Sequence, residues 1–489
     1  MKYKFFPLIF FSTFFNGQIT LTKDTSFGNN GIFEFTNYNT NAQYNYGYFF
    51  QNADGSFILH CLGDASPTMD NFMIKIQSYG ALDSSFGTNG KIHLDDFEAV
   101  DILPQDNNHF LVNYYSTNKY VKKYNLNGQL DTSFASTGTS TVNSLSNPIV
   151  VNNDGGFFSV GDDVLGSVST SGLYKYSSNG NLDNSYGDNG YKVFNFPWSG
   201  NRIISSNNAL YFLGYENETT GINAKLAKFN YSGNLDSSFG TNGKINLNEI
   251  ANLVDNVNYF NDVSDFYLKP DGSLYVVTSV VRTNDQLEEY SNFFVFNSNG
   301  TVNTNFHSNG FVSIPSTNTA SIQSKSIITA ADYNSNYFLL FENKLISYSP
   351  QGATQTINGS NIFSDGYSAN FAFKNIKVYN NALYLLVCNY NENKIQLIKY
   401  NINTTNLNTD NIPNNKINIS VYPNPVKDIL NIETDKRVED VKVYDSSGKL
   451  INSLSFDNNK LNISTLSKGF YLIKIKVGDT YITKKFVKE

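Results

Sequence analysis

A nine-residue segment that occurs twice constrains the fold of this chain more than any other feature. Residues 82–90 read Leu-Asp-Ser-Ser-Phe-Gly-Thr-Asn-Gly, and residues 235–243 repeat them. Looser copies occupy residues 23–31, 130–138, 182–190 and 302–310. The aromatic residue of the six copies is Phe27, Phe86, Phe134, Tyr186, Phe239 and Phe306. Recurrence about every 50 residues indicates a repeat architecture, in which each unit buries its apolar surface against its neighbours.

Each repeat also contains strand signals. A turn followed by a short apolar run, such as Asp54-Gly55 before residues 57–59, occurs seven times, and a third run precedes each signature. Four short strands in roughly 50 residues are typical of a β-propeller blade. The sequence therefore predicts an all-β chain with a propeller of seven blades over residues 19–401. Six or eight blades remain alternatives, because the copy near residues 352–359 is degenerate.

The two ends of the repeat region complement each other. The first signature copy, residues 23–31, has no strands of its own before it, and the last strand, residues 395–400, has no signature after it. This arrangement is the one that closure of a ring requires.

The signature itself has a structural interpretation. We expect its Asp to accept hydrogen bonds from nearby backbone N–H groups, its aromatic ring to fill the gap between blades, and Gly-x-Asn-Gly to turn the chain. A repeated calcium loop is the alternative, although one carboxylate per copy is too few for a good Ca²⁺ site. No cofactor is predicted. The repeat-turn residues are Asp83, Phe86, Gly87, Asn89, Gly90, Asp236, Phe239, Gly240, Asn242 and Gly243.

Composition changes near the C-terminus. Residues 416–489 hold 13 basic and 9 acidic side chains, whereas the rest of the chain is net acidic. A polar stretch, residues 402–415, precedes this change and predicts a linker. Alternating apolar residues, as in residues 471–477, with turns between them, predict a small immunoglobulin-like β-sandwich of six or seven strands.

The C-terminal motifs resemble the sorting domain of type IX secretion substrates. The matching residues are Tyr422, Pro423, Asn424, Pro425, Gly448, Gly469 and Tyr471. This resemblance implies recognition by the type IX secretion machinery and passage through a Bacteroidetes-type outer membrane, followed by release or surface attachment. An ordinary immunoglobulin-like accessory module that binds sugar or protein is the alternative.

The repeat signatures resemble the delta-60 repeat, a β-propeller family of secreted bacterial proteins. The resemblance covers residues 20–410 or so. It implies a propeller, and it brings no chemistry with it.

The N-terminus predicts export independently. Lys2 and Lys4 precede an apolar stretch over residues 5–15, which is the pattern of a secretory signal peptide, here assigned to residues 1–18. No other segment approaches the length of a membrane helix. We therefore expect a secreted protein or one on the outer-membrane surface.

Composition excludes several other classes of protein. Aromatic residues make up 15% of the chain, so it is not broadly disordered. A net charge of −7 gives no electrostatic basis for nucleic-acid binding. The two cysteines, Cys61 and Cys388, cannot make a disulfide-rich scaffold. They end the same strand in the first and seventh repeats, so either a disulfide that locks the ring or two buried thiols can be expected.

Residues with catalytic potential form no recognised motif. The four histidines lack metal spacing, and a polar surface role is expected for His93 and His109. Acidic candidates are Asp95, Asp96, Asp162, Asp163, Glu216 and Glu218. Asp162-Asp163 and Glu216/Glu218 follow the same strand in consecutive repeats, which places them on one face of the disc. Trp198 could stack on a sugar, but packing is the simpler interpretation. We assign no catalytic, cofactor-binding or metal-binding residue.

These observations favour an exported propeller that binds protein or glycan. A secreted hydrolase or lyase that uses channel carboxylates on polysaccharide is one alternative, and a structural adhesion component is another. Fold alone does not decide between them.

Overall fold

The structure is a computed structural model. It describes residues 18–36, 48–65, 68–94, 99–114, 119–142, 149–165, 168–194, 198–206, 208–218, 221–252, 259–282, 288–307, 309–315, 327–341, 344–364, 371–389, 392, 394–405, 419–434, 436–445, 450–451, 454–477 and 480–489. The chain divides into two compact units, Met1–Leu407 and Asn408–Glu489. Among these described residues, no helix is long and apolar enough to cross a membrane.

The N-terminal unit is built from antiparallel four-stranded sheets. The chain begins with β1 (Gln18–Lys23) and β2 (Ile32–Phe35), and five sheets follow in sequence order. The first is β3 (Tyr48–Gln51), β4 (Phe57–Ala65), β5 (Thr68–Ile76) and β6 (Lys91–His93); the second is β7 (Ala99–Pro104), β8 (His109–Tyr114), β9 (Tyr120–Asn125) and β10 (Thr139–Thr141); the third is β11 (Ile149–Val151), β12 (Phe157–Leu165), β13 (Val168–Tyr176) and β14 (Tyr191–Val193). The fourth is β15 (Trp198–Ser206), β16 (Ala209–Glu218), β17 (Gly221–Asn230) and β18 (Lys244–Asn246), and the fifth is β19 (Tyr259–Leu268), β20 (Leu274–Arg282), β21 (Glu288–Phe296) and β22 (Phe311–Pro315).

The first and last strands of the N-terminal unit meet in one nine-stranded sheet. Its later members are β23 (Ile327–Tyr333), β24 (Asn336–Phe341), β25 (Lys344–Tyr348), β26 (Thr354–Ile357), β27 (Phe371–Tyr379), β28 (Ala382–Asn389) and β29 (Lys394–Thr405). The strand β1 runs between β26 and β29, parallel to the first and antiparallel to the second. The strand β2 pairs with the other part of β29 and holds the place that a fourth strand holds in the earlier sheets. The N-terminus therefore completes the last set of strands.

Apolar clusters lie between successive sheets, and their order is cyclic. Seven such clusters among the described residues join each set of strands to the next along the chain. One of them joins the last strands back to the first sheet, where the rings of Phe57 and Tyr384 lie 4.7 Å apart. The core is thus divided among the gaps between sheets.

Sheets with neighbours on both faces explain the apolar runs in the sequence. In a strand, successive side chains point to opposite faces. In β4, Phe57 and Leu59 enter the cluster shared with the last strands, whereas Ile58 enters the cluster shared with the second sheet. Both kinds of position must be apolar, so the strand reads as an unbroken run.

The connections at one end of the sheets are nearly constant in length, whereas those at the other end vary. In the first five sheets the connection that contains the signature has nearly the same length each time: 77–90, 126–138, 177–190, 231–243 and 297–310. The connection from one of these sheets to the next varies far more, from 194–197 between β14 and β15 to 247–258 between β18 and β19. In antiparallel sheets these two kinds of connection lie at opposite ends. We call them the signature end and the variable end.

The C-terminal unit consists of two four-stranded sheets around one core. One sheet contains β30 (Ile419–Tyr422), β31 (Ile429–Thr434), β34 (Ser455–Asp457) and β35 (Lys460–Asn462), and the other contains β32 (Asp440–Tyr444), β33 (Leu450–Ile451), β36 (Gly469–Val477) and β37 (Thr480–Lys488). Leu430 and Ile432 of the first sheet share one apolar cluster with Ile473, Ile475 and Phe486 of the second.

Three details differ from the sequence expectation or lie beyond it. A short helix, α1 (Leu247–Asn252), follows β18 and was not predicted. The strand β29 continues to Thr405, into the segment predicted as a linker. Residues 1–17 of the predicted signal peptide lie outside the described residues, and Gln18 begins β1.

Candidate functional site

The most developed polar cluster of the N-terminal unit surrounds Glu216, near the variable end of the fourth sheet. Its carboxylate accepts hydrogen bonds from two ammonium groups, at 2.8 Å from Lys225 Nζ and 2.6 Å from Lys244 Nζ. The strands fix this arrangement, because Glu216 lies in β16, Lys225 in the adjacent β17 and Lys244 at the start of β18. Glu216 is 6% exposed, so the cluster is a buried ion-pair network.

The charge state of Glu216 follows from these contacts. Burial by itself raises the pKa of its carboxyl, but hydrogen bonds from Lys225 and Lys244 outweigh burial and hold the pKa below the ordinary value. Glu216 is therefore ionised at neutral pH. It has no proton to donate as a general acid, and a carboxylate with a lowered pKa is a weak base.

A cavity of about 570 Å³ borders this cluster and follows the outer strand β18. One end of its lining reaches Glu249 of α1, and the other reaches Thr241 of the signature turn and Thr301 beside the fifth sheet. The charged side chains of the lining are two ammonium groups and two carboxylates: Lys225, Lys244, Glu216 and Glu249. The lining is thus close to neutral, and such a surface suits a polar ligand held by hydrogen bonds.

Two other acidic candidates, Asp162 and Asp163, belong to the third sheet. Asp162 and Asp163 lie near the end of β12, where they pair in register with Ser171 and Thr170. Trp198 pairs in register with Glu216. The side chains of Asp162, Asp163, Trp198 and Glu218 are outside the described set, as are Asp95 and Asp96 entirely. In the described part of the chain, no group of three or more His, Cys, Asp or Glu could hold a metal ion.

The histidines occupy separate places. His60 is buried in β4, where its Nε2 lies 2.7 Å from Asn71 Oδ1. Burial lowers the pKa of His60, since desolvation disfavours the imidazolium more than Asn71 favours it. His109 Nδ1 lies 3.0 Å from Asp106 Oδ1 at a turn, and His93 is exposed at the end of β6.

The repeat turns have a common hydrogen-bonding pattern. Asp83 Oδ1 accepts hydrogen bonds from the backbone N–H (3.1 Å) and the hydroxyl (2.6 Å) of Ser85. Asp236 makes the same pair of bonds with Ser238, at 3.2 and 2.5 Å. The other carboxylate oxygen pairs with a lysine, Lys75 at 3.2 Å or Lys228 at 3.0 Å. The carboxylate of the signature is thus occupied by its own turn and its own sheet.

The lysine partner was missed in the sequence, although a signal for it exists. Lys75, Lys123, Lys175 and Lys228 each stand eight residues before the Asp that they contact. In the repeat with the signature at residues 302–310, Val295 replaces the lysine and Asn303 replaces the Asp. Both charges are therefore absent together. The first copy takes its lysine from the other end of the chain, because Lys399 Nζ lies 2.8 Å from Asp24.

The aromatic residue and the glycine after it connect neighbouring sheets. Phe86 and Phe239 are almost fully buried. The backbone N–H of Gly87 donates to Asn127 O of the next sheet at 2.9 Å, and that of Gly240 donates to Asn299 O at 2.8 Å. Gly87 has a φ of 56°, and a Cβ there would lie 2.4 Å from Lys91 O, so only glycine fits.

The last two signature residues turn the chain into the outer strand. Asn89 and Asn242 have φ values of 54° and 53°, and Gly90 and Gly243 have values of 84° and 88°. Asparagine and glycine tolerate this left-handed region better than other residues, which explains the Asn-Gly pair.

The sorting-motif residues tie the start of the C-terminal unit to its last strand. Asn424 Oδ1 accepts a hydrogen bond from Val487 N at 2.8 Å, and Asn424 Nδ2 donates to Lys485 O at 3.1 Å. Both peptide bonds that precede Pro423 and Pro425 are cis. Tyr471 donates its hydroxyl to Ser467 O at 2.9 Å, and Gly469 begins β36. Gly448 lies outside the described residues.

Comparison with known proteins identifies this unit. Residues 420–489 match the family model described as "Secretion system C-terminal sorting domain". The chain therefore carries a C-terminal type IX sorting domain, as its motifs predicted, and this domain indicates secretion with attachment at the cell surface or outer membrane. No curated protein matches the chain.

Solved structures similar to the chain share little sequence with it. The polysaccharide lyase Uly1 is 10% identical, with 74% of this chain and 93% of the other covered and a TM-score of 0.43. BamB from Moraxella catarrhalis is 9% identical, with 78% and 99% covered and a TM-score of 0.39. The Pan2 WD40 domain of Neurospora crassa is 9% identical, with 72% and 87% covered and a TM-score of 0.40.

Proposed function

We propose that this protein is an exported binding module: a closed seven-bladed β-propeller of delta-60-type repeats that contacts protein or glycan at its variable end. Delivery depends on the type IX secretion machinery, which reads an immunoglobulin-like sorting domain. The cyclic order of the apolar clusters supports seven blades, with β27, β28, β29 and β2 as the seventh.

One observation carries the binding proposal. The five connections that contain the signature are nearly equal in length, whereas those that join these sheets at the variable end range from the short 194–197 to the long 247–258. In repeat proteins, variation that is confined to one face marks the face that meets ligands. The cavity beside Glu216 lies along β18, between the signature turn and α1 at the variable end, and its near-neutral lining of polar and apolar groups suits a ligand such as a glycan.

The charge state of Glu216 excludes it as the proton donor of the enzyme alternative. The enzyme alternative needs one carboxyl that donates a proton and another that stays ionised. Glu216 is held ionised by two lysines, so it does not supply the acid. A structural adhesion component is the interpretation to adopt if no ligand is found.

The proposal is tested with the purified full chain on a glycan array and against surface proteins of the producing cell, together with an assay of polysaccharide turnover. We expect binding without turnover. Glu249→Lys, at the cavity, should weaken binding about tenfold, whereas Thr88→Lys, exposed at the signature end of the first sheet, should leave it unchanged. Turnover that Glu216→Gln abolishes would contradict the proposal, and so would equal effects of the two lysine variants.

A further inference from the structure

Exposed apolar side chains concentrate in the C-terminal unit. Eight large hydrophobic residues are exposed in the described part of the chain, and five of them belong to the sorting domain. Single exposed hydrophobic residues are normal on any protein, so their grouping is what matters. Three of the five share one face of one sheet: Leu450 in β33, and Phe470 and Leu472 in β36.

The register places these residues together. Leu472 lies opposite Tyr444 on one side and Lys485 on the other, and Tyr444 lies opposite Leu450. The alternate residues of β36, such as Tyr471 and Ile473, point into the core. Phe470 and Leu472 therefore project outward because of the two-residue period of the strand. Their exposed fractions are 57% and 44%.

Lysines surround this apolar surface. Lys485 lies over the ring of Phe470, with its Nζ 4.5 Å from the ring centre. Lys442 and Lys476 lie on the same outward side, where they form ion pairs with Asp440 at 3.7 Å and Glu439 at 3.1 Å. We call the surface formed by Leu450, Phe470, Leu472, Lys442, Lys476 and Lys485 the basic–apolar face.

We propose that the basic–apolar face is the surface by which the sorting domain docks on a protein of the export apparatus, whose contacting surface is apolar and bordered by carboxylates. The inference rests on the sorting role of this domain and adds the place and chemistry of recognition. Lysines around an apolar centre are complementary to a partner that places acidic side chains around apolar ones.

The charges favour a protein partner over an anionic membrane. An anionic membrane is negative throughout, so Asp440 and Glu439, which neutralise two of the lysines on the face, would be repelled by it, and each unpaired lysine would gain only about 1 kcal/mol. A protein can instead place its carboxylates opposite Lys485 and away from these two acids. Four short strands cover roughly 300 Å² at ordinary strand spacing. An area of this size belongs to weak, transient contacts, which a delivery signal needs in order to be released.

The test measures export of the full chain from cells that hold a complete secretion system. The double variant Phe470→Thr with Leu472→Thr should lower the amount at the cell surface and in the medium at least tenfold, with the chain retained in the periplasm. Threonine keeps the strand preference while removing the apolar surface. Ile429→Thr, at an apolar residue of the other sheet that is 40% exposed, and Tyr79→Thr in the N-terminal unit should change export less than twofold.

Charge variants give a second, independent measurement. Lys485→Glu should reduce export at least threefold, whereas Lys460→Glu, exposed on the other sheet, should not. Thermal unfolding of each purified variant shows whether the sorting domain still folds. If the charge and apolar variants are folded and exported normally, the docking proposal is wrong.

Two further outcomes separate this proposal from its premises. If deletion of residues 416–489 leaves export unchanged, the sorting role itself fails. If the deletion blocks export while the variants of the basic–apolar face are exported normally, only the docking proposal fails. Flotation with phosphatidylglycerol vesicles tests the membrane alternative: binding by the wild-type chain that the double variant loses would overturn the choice of a protein partner.

Discussion

Phe86 shows at the scale of one residue how the repeat holds neighbouring sheets together. Its ring is fully buried in the cluster between the first and second sheets, 6.4 Å from the ring of Phe110. The next residue, Gly87, donates its N–H to the second sheet. One dipeptide therefore supplies both an apolar contact and a polar contact across the same gap.

We expect Phe86→Ala to destabilise the N-terminal unit by about 3–5 kcal/mol, because a large buried ring is lost and its cavity cannot fully collapse. Chemical denaturation of the purified chain measures this loss. Tyr79→Ala, which removes an aromatic ring that is 57% exposed in the same repeat, should cost less than about 0.5 kcal/mol. Equal losses in the two variants would mean that Phe86 does not fill the gap.

The residue scale also shows the limit of sequence reasoning. The Asp of the signature was predicted to accept backbone hydrogen bonds, since such turns are local and can be recognised from spacing. Its lysine partner was not predicted, although Lys75 stands eight residues before Asp83 and the local turn between them brings the two together. The two lysines at Glu216 were missed for a different reason, because Lys244 comes from β18, whose position relative to β16 is set by pairing with β17.

At the scale of elements, the pairing of β1 and β2 with β29 joins the chain ends. Asp24 and Lys399 occupy the places that Asp83 and Lys75 occupy in the first sheet. Hydrogen bonds from Lys399 and then Ser26 lower the pKa of Asp24 to about 2. In the first sheet this kind of ion pair lies within one sheet repeat. Here it links strands from opposite ends of the N-terminal unit.

This pair should make stability depend on pH. Because the folded-state pKa of Asp24 lies below the unfolded value of about 3.9, its contribution is complete above pH 4 and is lost as pH falls towards 2. We expect the thermal midpoint of the N-terminal unit to fall over this range, and to fall less in Asp24→Asn. Asp457→Asn, an exposed carboxylate of the other unit, is the control. An identical acid profile in Asp24→Asn and the wild type would contradict the role of this pair.

The short helix α1 and the end of β29 are the two elements that the sequence did not predict correctly. The strand runs of each repeat were recognisable because both faces of a middle strand are buried. The helix α1 has only six residues, too few for a helical period to appear against the surrounding turns. The full length of β29 depends on β1, which pairs with it from the opposite end of the N-terminal unit.

At the scale of the whole molecule, the gap between the first sheet and the last strands contains both cysteines. Cys61 and Cys388 are free, buried thiols in one apolar cluster. Of the two alternatives drawn from the sequence, the structure has the buried thiols. Desolvation raises the pKa of Cys388 to about 11, which keeps it protonated and unreactive.

Thiol labelling therefore reports on this gap. In the folded chain we expect neither cysteine to react with iodoacetamide at neutral pH, and both to react fully in denaturant without a reducing agent. Intact mass measures the number of labels. Two thiols that label only after reduction would show a disulfide, and rapid labelling of the folded chain would show that the gap opens.

The pairing of β2 with β29 also sets an order of events for a newly made chain. The strand β2 leaves the ribosome before all of the first five sheets, yet its partner is among the last segments of the repeat region to appear. Until then, every partial chain exposes an unpaired strand edge and the apolar Phe33 at one end, which invites pairing with other chains. Closure over so long a separation in sequence is also slow. A chain that ends before β29 is therefore expected to associate with other chains more readily than one that includes β29.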